Sequence, residues 1–225
     1  MTAWPADFGW AQREAFAEGL RADGEAFNLC LLGGDTVSIK GPLTLSMTLL
    51  GWTPSGAMVR RAGAQVGDLV MVSGAIGDGW LDWGVAAGHL DRRWLGADHR
   101  LPNPRLDLRE PLRRLATSAA DVSDGLIADA GHIARASKVG LRLDLDRLPI
   151  SDAAAAWLAT QADPAGARLR LATGGDDYEL VLTAPPAAAQ ALGLPVIGEV
   201  VAGEGVEVRF AGARLDPGPG GWRHA

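Results

Sequence analysis

Cysteine is nearly absent. Cys30 is the only one in 225 residues, so no disulfide closes within the chain and a reducing cytoplasm is the expected setting. It stands among Leu29, Leu31 and Leu32 with no His or basic neighbour, which reads as a small core residue rather than a reactive thiol. Long apolar runs are missing too. No stretch reaches the length of a membrane-spanning helix, and the N-terminus lacks a basic region followed by an apolar run. Asp7, Glu14 and Glu18 oppose a mitochondrial presequence. Basic charge is in deficit: Lys and Arg number 21 against 27 Asp and Glu, a formal net charge of −6. That leaves no general electrostatic footprint for nucleic acid. Neither lysine, Lys40 or Lys138, follows a glycine, so there is no Walker A loop. No Gly-x-Ser-x-Gly elbow marks a serine hydrolase. His89, His99, His132 and His224 lack metal-ligand spacing, and His132 reads as a structural or exposed helix residue.

What is present is ordinary for a globular chain: 48% hydrophobic and 21% charged residues, enough for one large domain or two small ones. Helices and strands mix without one clean βαβ rhythm, which suggests an α+β chain. Periodicity predicts a helix from Gly9 to Leu20, with Trp10, Phe16 and Leu20 on its apolar face. Asn28 to Leu32 reads as a short buried strand. Pro42 to Gly51 reads as a second, because Leu43, Leu45, Met47 and Leu49 alternate with Thr44, Ser46 and Thr48. Trp52-Thr53-Pro54-Ser55-Gly56 punctuates the chain and sets a boundary between a first domain, 1–55, and a second, 56–225. In the second, strands are expected at Asp68 to Ser73, Ala119 to Val122, Gly140 to Leu145, Tyr178 to Thr183, Val196 to Val200 and Val206 to Phe210. Helices are expected from Gly77-Asp78-Gly79 through Ala87, and at Leu108 to Ala116, Asp124 to Ala136, Ala153 to Leu158 and Pro186 to Leu192.

Three glycine-marked acidic motifs stand far apart: Gly33-Gly34-Asp35-Thr36, Asp121-Val122-Ser123-Asp124-Gly125 and Gly174-Gly175-Asp176-Asp177-Tyr178-Glu179. Glycine lets the backbone turn sharply or lie against a ligand. Carboxylates beside it hold Mg2+, and Mg2+ holds polyphosphate. Each motif also has a plainer reading. Asp124 could cap the helix after it. Capping leaves Asp121 unexplained, and both readings stay open; if a ligand binds there, nearby backbone amides would suit phosphate oxygens. For the isolated Gly33-Gly34-Asp35, a turn with Asp35 as a local cap is favoured. In the third motif three acids within four residues repel one another, so a cation is expected beside them, either a metal or a positively charged substrate ring. Gly74-Ala75-Ile76-Gly77-Asp78-Gly79 runs GxxGxG, not GxGxxG, and reads as a strand-to-helix turn. Arg60 and Arg61 could contact phosphate, although solvated surface arginines are the commoner case.

In this order, LLGGDTVS, TPSGAMVRRAGAQVGDLVMVSG, LPNPRLDLREPLRRL, AADVSDGLIADAGHIARAS, GGDDYEL, VIGEV and GWRH resemble the thiamine-monophosphate kinase family. That family belongs to the superfamily of aminoimidazole ribonucleotide synthetase, selenophosphate synthetase and a hydrogenase maturation protein. The resemblance runs from about Asn28 to the end, and DVSDGL with GGDDYEL is its most specific part. It implies a remnant of the N-terminal α/β domain over 1–55, the ATP and dimerisation domain. A complete C-terminal α/β sandwich domain of the aminoimidazole ribonucleotide synthetase type would follow over 56–225. It implies in-line transfer of the ATP γ-phosphoryl group to thiamine monophosphate with Mg2+, giving thiamine diphosphate. Asp35, Asp121 and Asp124 then stand as Mg2+ ligands, Gly34, Asp35, Arg61 and Ser123 as ATP contacts, and Asp176 and Trp222 as substrate contacts. No side chain receives a covalent or general-base role, because the attacking phosphate is already anionic.

Asp176 replaces the Glu of the family's usual GGEDYEL, with shorter reach, and Val37 replaces the second Thr of its GGDTT. The family's earlier Gly-Asp-Asp-Ala, Thr-Thr-Asp and Asn-Leu-Ser-Asp-like segments have no counterpart here. The resemblance therefore implies an N-terminally incomplete chain, weakly active alone, whose 42–51 strand is left as an unpaired edge. It further implies a cytoplasmic homodimer for the full-length family, with neither nucleic acid nor membrane as partner. Two alternatives are a non-catalytic nucleotide-binding module or half of a split protein, and a sister ATP-dependent enzyme of the same superfamily.

Overall fold

The computed structural model describes residues 1–94 and 101–222; His99, His224 and the end of the GWRH stretch lie outside them. Between Thr53 and Pro54 the chain separates into two units. The first is built on a parallel crossover. Strand β1 (Thr2–Pro5) pairs in parallel with β2 (Thr36–Ile39), Thr2 opposite Thr36. Parallel strands need a long connection, and helix α1 (Trp10–Ala26) supplies much of it. Strand β3 (Thr44–Leu45) pairs antiparallel with the other side of β1, giving the order β2-β1-β3. Among the described residues this unit buries two hydrophobic side chains, Ala3 and Trp4. Trp4 stacks on Phe8 at 4.9 Å and meets Phe16 edge-on at 5.3 Å.

Several expectations change in this unit for one physical reason. The helix runs on to Ala26, and Phe16 faces Trp4, but Trp10 is exposed. Residues 28–32 form no strand, and Cys30, Leu31 and Leu32 are exposed instead of buried. Of 42–51, Thr44–Leu45 alone pairs as a strand, and Leu43, Leu45, Met47 and Leu49 are all exposed. An alternating strand buries its apolar residues where a second layer covers that face. Among the described residues no such layer lies on these side chains.

The second unit is a seven-stranded mixed sheet with helices on both faces. Its strands are β4 (Leu69–Val72), β5 (Ser118–Asp121), β6 (Gly140–Asp144), β7 (Leu180–Ala184), β8 (Val196–Val201), β9 (Gly205–Phe210) and β10 (Ala213–Leu215). Their order is β10-β9-β6-β8-β4-β7-β5, and all neighbours are antiparallel except β6 and β9. The helices are α2 (Asp78–Ala86), α3 (Arg109–Leu115), α4 (Leu126–Ser137), α5 (Asp152–Leu158), α6 (Pro164–Thr173) and α7 (Pro186–Leu192). The helix expected from Leu108 is preceded by a 3-10 turn, Leu106–Leu108.

Side chains alternate across a strand, and here the alternation has a layer on each side. Val70, Val72 and Val181 pack with Leu126, Ile127 and Ile133 of α4. Met71, Leu182 and Ala184 pack with Leu112 of α3 and Ala189 of α7. A third cluster of Leu81, Trp157 and Leu171 ties α2, α5 and α6. The fold is the α+β sandwich expected. Helix α6 had no periodic signal, yet its start is written locally: Asp163 accepts from Gly166 N at 3.0 Å and Pro164 opens the first turn. For function, what matters is one corner of this sheet. Edge strand β5 ends at Asp121 opposite Leu180, where β7 begins, so the second and third acidic motifs arrive side by side.

Candidate functional site

Past the paired strand ends, hydrogen bonding continues through the loops. Val122 N donates to Glu179 O at 2.7 Å, Tyr178 N to Val122 O at 2.8 Å and Asp176 N to Ser123 O at 2.9 Å. The two motifs are one ribbon. Gly175 permits the approach: its φ is +77°, and a Cβ there would overlap the Ser123 carbonyl. The C-terminal segment closes on the same turn. Trp222 N donates to Asp124 O at 2.8 Å, and a Cβ on Gly221 would overlap that carbonyl. Two segments distant in sequence thus meet on Asp121–Gly125, with the Trp222 indole left exposed.

The turn is held from within by Asp129, a residue that sequence reasoning did not single out. It is 1% exposed, and its Oδ2 accepts from Ser123 N at 3.0 Å and Asp124 N at 3.1 Å. Burial pushes its carboxyl up, the two amides partly offset this, and the Asp124 and Asp121 charges add to the rise. Two expectations are corrected here. The carboxylate bonded to these amides is Asp129, reaching back from the first turn of α4; Asp124 does not cap the helix, whose N-cap is Gly125 without a side-chain cap. The backbone amides near this turn that would suit phosphate oxygens include those of Ser123 and Asp124, and both are already engaged by Asp129.

Asp124 instead comes together with Asp129 and His132, with one ligand atom of each within 4.8 Å of the others. Among the described residues, His132 meets acids here and not another histidine. The signal lay in the acids, since Asp129 and His132 are one helical turn apart. Asp121 is exposed and 3.8 Å from the Arg61 guanidinium. An exposed pair at that distance contributes little, so both charges remain available to a ligand. A carboxylate-rich set on a half-buried turn that reaches the surface at Asp121 fits Mg2+, which keeps several waters and takes one or two carboxylates beside substrate phosphates.

The acids of the third motif are divided by the alternation of the ribbon. Asp177 turns inward, where its Oδ1 accepts from Gly77 N at 2.8 Å and Gly79 N at 3.1 Å and its buried Oδ2 has no hydrogen-bond partner. Burial, above all, pushes this carboxyl up to about 7. The GxxGxG turn is therefore the start of α2, docked on Asp177. Glu179 also turns inward, accepts from the Ser73 hydroxyl, and pairs with Arg105 Nη1 at 2.9 Å. The expected outside cation is thus replaced at Glu179 by Arg105 of the chain itself. Asp176 points outward and accepts from the Tyr178 hydroxyl at 3.1 Å.

Arg61, Asp121, Ser123, Asp124, Asp176 and Trp222 all belong to the second unit, and the contacts above link them around one turn. Gly34 and Asp35 belong to the first unit. There Asp35 Oδ1 accepts from Thr36 N at 2.8 Å, a local cap at the start of β2, and Gly34 is exposed.

Residues 65–211 match the family described as AIR synthase related protein, C-terminal domain. Over 98% of its length the chain is 48% identical to a thiamine-monophosphate kinase of Caulobacter vibrioides, of which it covers 66%. The solved thiamine-monophosphate kinase from Stenotrophomonas maltophilia K279a is 37% identical, with a TM-score of 0.77 over 94% of this chain and 72% of that one. A second solved structure, AaThiL complexed with AMPPCP and TMP, is 25% identical, with a TM-score of 0.76 over 100% of this chain and 72% of that one. The chain spans about two thirds or less of the length of the first curated relatives it matches. The matched family region carries the whole ribbon and the Asp129 anchor, and these likenesses together place the chain in the AIR synthase related family and, within it, among the thiamine-monophosphate kinases.

Proposed function

We propose that this chain serves an ATP-dependent kinase that converts thiamine monophosphate to thiamine diphosphate, in thiamine diphosphate biosynthesis. The observation that carries the reading is the Asp121–Gly125 turn, clasped between the Gly175–Glu179 ribbon and Gly221-Trp222 with a carboxylate near each end. The likeness to a structure complexed with AMPPCP, an ATP analogue, and TMP supports it.

Asp121 and Asp124 in the second unit are proposed Mg2+ ligands, and Asp35 in the first unit is a proposed Mg2+ ligand as well. Gly34, Asp35, Arg61 and Ser123 are the proposed ATP contacts. Arg61 would exchange its long pairing with Asp121 for a phosphate oxygen, a stronger charge-assisted contact. Asp176 and Trp222 are proposed on the substrate side, where the carboxylate offsets the thiazolium charge and the exposed indole offers its face to the ring. In the transfer, an oxygen of the substrate phosphate bonds to the γ-phosphorus as the bond from that phosphorus to the ADP oxygen breaks. The attacking oxygen is already anionic, so no side chain has to remove a proton, and the residues act by holding and orienting. Mg2+, when bound, neutralises phosphate charge that would otherwise keep two anionic reactants apart.

Residues 1–55 are proposed as the C-terminal part of the N-terminal ATP and dimerisation domain, and 56–225 as the C-terminal domain. The whole protein is proposed to act as a cytoplasmic homodimer without nucleic-acid or membrane partners. The net charge of −6 supports the absence of a nucleic-acid partner, and no helix among the described residues is long and apolar enough to cross a membrane.

Calorimetric titration with AMPPCP, with and without Mg2+, tests the reading. Binding should require Mg2+ and weaken about tenfold or more in Asp121→Asn and in Asp124→Asn, which remove charge at nearly constant shape. In a transfer assay followed by 31P NMR, the same substitutions should lower thiamine diphosphate formation. AMPPCP binding indifferent to both substitutions would sink the assignment. Transfer to another acceptor but not to thiamine monophosphate would indicate a sister enzyme.

A further inference from the structure

The Asp176–Glu179 segment sorts its side chains by parity. Asp177 and Glu179 point inward and are spent on structure, one on the Gly77 and Gly79 amides, the other on Arg105 and Ser73. Asp176 and Tyr178 point outward and are exposed. Both outward residues hold left-handed backbone, with φ +59° and +51°. For side chains other than glycine this conformation is strained, and it persists where the surroundings over-determine it. Here they do: Asp176 N and Tyr178 N are tied to Ser123 O and Val122 O, and the intervening Asp177 is locked to the α2 turn. The left-handed backbone falls on the two exposed residues of the segment, held there by these loop hydrogen bonds and by the close approach of the Asp176 carbonyl to Gly79.

Within that strained pair the Tyr178 hydroxyl donates to Asp176 Oδ1 at 3.1 Å. With its hydroxyl at the surface, water was available to it as a partner. A phenol donating to one carboxylate oxygen restricts the rotation of the group and leaves the second oxygen, with the negative charge, for another partner. The bond to Asp176 pushes the phenol above its ordinary range, so it remains a donor through neutral pH.

Resting on the kinase reading above, we propose that Tyr178 is a positioning residue for substrate specificity: its hydroxyl fixes the Asp176 carboxylate, and the fixed carboxylate selects a cationic ring over an uncharged ring of the same shape. Nothing in the transfer chemistry requires this pair, so its effect belongs to recognition of the acceptor and not to ATP.

The test uses the whole chain and three ligands: thiamine monophosphate, its isostere with an uncharged thiophene in place of the thiazolium, and AMPPCP with Mg2+. Tyr178→Phe keeps the ring and removes the hydroxyl. It should weaken thiamine monophosphate binding by about five- to twentyfold and leave the isostere and AMPPCP within twofold. Asp176→Asn keeps the hydrogen-bond acceptor and removes the charge, and it should lose the preference for the cationic ring outright. In the Asp176→Asn background, Tyr178→Phe should add no further loss, the coupling expected of residues acting through one another. Equal weakening of both rings by Tyr178→Phe, full additivity of the two substitutions, or no effect would each overturn the proposal while leaving the kinase reading intact. An unsubstituted chain that binds AMPPCP but not thiamine monophosphate would overturn both, and that outcome is seen before any variant is made.

Discussion

A carboxylate that accepts two backbone amides ordinarily falls below its usual range, yet Asp177 rises to about 7. Burial outweighs the Gly77 and Gly79 amides, and the Asp78 and Glu179 charges push in the same direction. The sign of the consequence follows. Between the ordinary carboxylate value of 3.8 and about 7 the folded protein holds a proton that the unfolded chain has released. This group's contribution to stability is therefore greatest below pH 4 and is lost as pH rises to 7, at about 1.4 kcal/mol per pH unit. Asp177→Asn still accepts from both amides and cannot titrate. In urea unfolding, its midpoint minus that of the unsubstituted chain should climb from pH 5 to 7 and then level off. A difference that is flat with pH would assign the response to another group. The sequence marked Asp176, Asp177 and Glu179 as a crowd of charge. Which of them turns inward was not legible, because the parity is set by pairing with Val122 and Ser123, far away along the chain. Asp129 was hidden for the related reason that its partners are the amides of the turn, and amides carry no sequence signature.

Elements were readable where both of their faces are covered. In β4 and β7, Val70, Val72 and Val181 go to one side and Met71 and Leu182 to the other, and a short apolar run between turn signals was enough to find such strands. The same rule misled at Leu43, Leu45, Met47 and Leu49, whose alternation is perfect and whose side chains are exposed. Periodicity reports a face and not what lies against it. Helix α6 escaped because Pro-Ala-Gly-Ala-Arg carries no apolar stripe, although Asp163 and Pro164 mark its start. How elements are tied together was not legible at all. The segment ahead of α3 is fastened to the head of β7 through Arg105, which bonds Glu179 Oε2 at 2.9 Å and the Ser73 carbonyl, with both charged side chains 19% exposed. Removing the cation leaves Glu179 partly buried and uncompensated. Arg105→Met should destabilise the fold by about 1–3 kcal/mol, below the range for fully buried pairs because some solvent screening remains. Adding Glu179→Gln should recover part of that loss. Thermal melts of the two single variants and the double variant check this, and a double variant no better than Arg105→Met would mean that the loss is one of packing and not of charge.

At the scale of the molecule, the apolar clusters are unequally shared. All three lie within Pro54–Ala225, whereas Met1–Thr53 buries Ala3 and Trp4 among the described residues. Apolar burial drives folding at roughly 25 cal/mol per Å2 and must outweigh a backbone ordering cost of about 1–2 kcal/mol per residue. A three-stranded sheet with one helix and two buried apolar side chains does not meet that requirement alone. The seven-stranded sheet with a layer on each face does. A polypeptide of residues 54–225 should therefore unfold in urea as a single cooperative transition. A polypeptide of residues 1–53 should show none, with the broad, sloping signal of a chain lacking a core. Leu31, Leu32, Met47, Leu49 and Trp52 stand exposed on that first unit, and large apolar side chains left in water favour association. The 1–53 polypeptide should accordingly gain structure only as its concentration rises, which circular dichroism against dilution would follow. A sharp, concentration-independent transition from 1–53 would show that its few buried contacts suffice, and the division of labour between a self-sufficient second unit and a dependent first one would have to be abandoned.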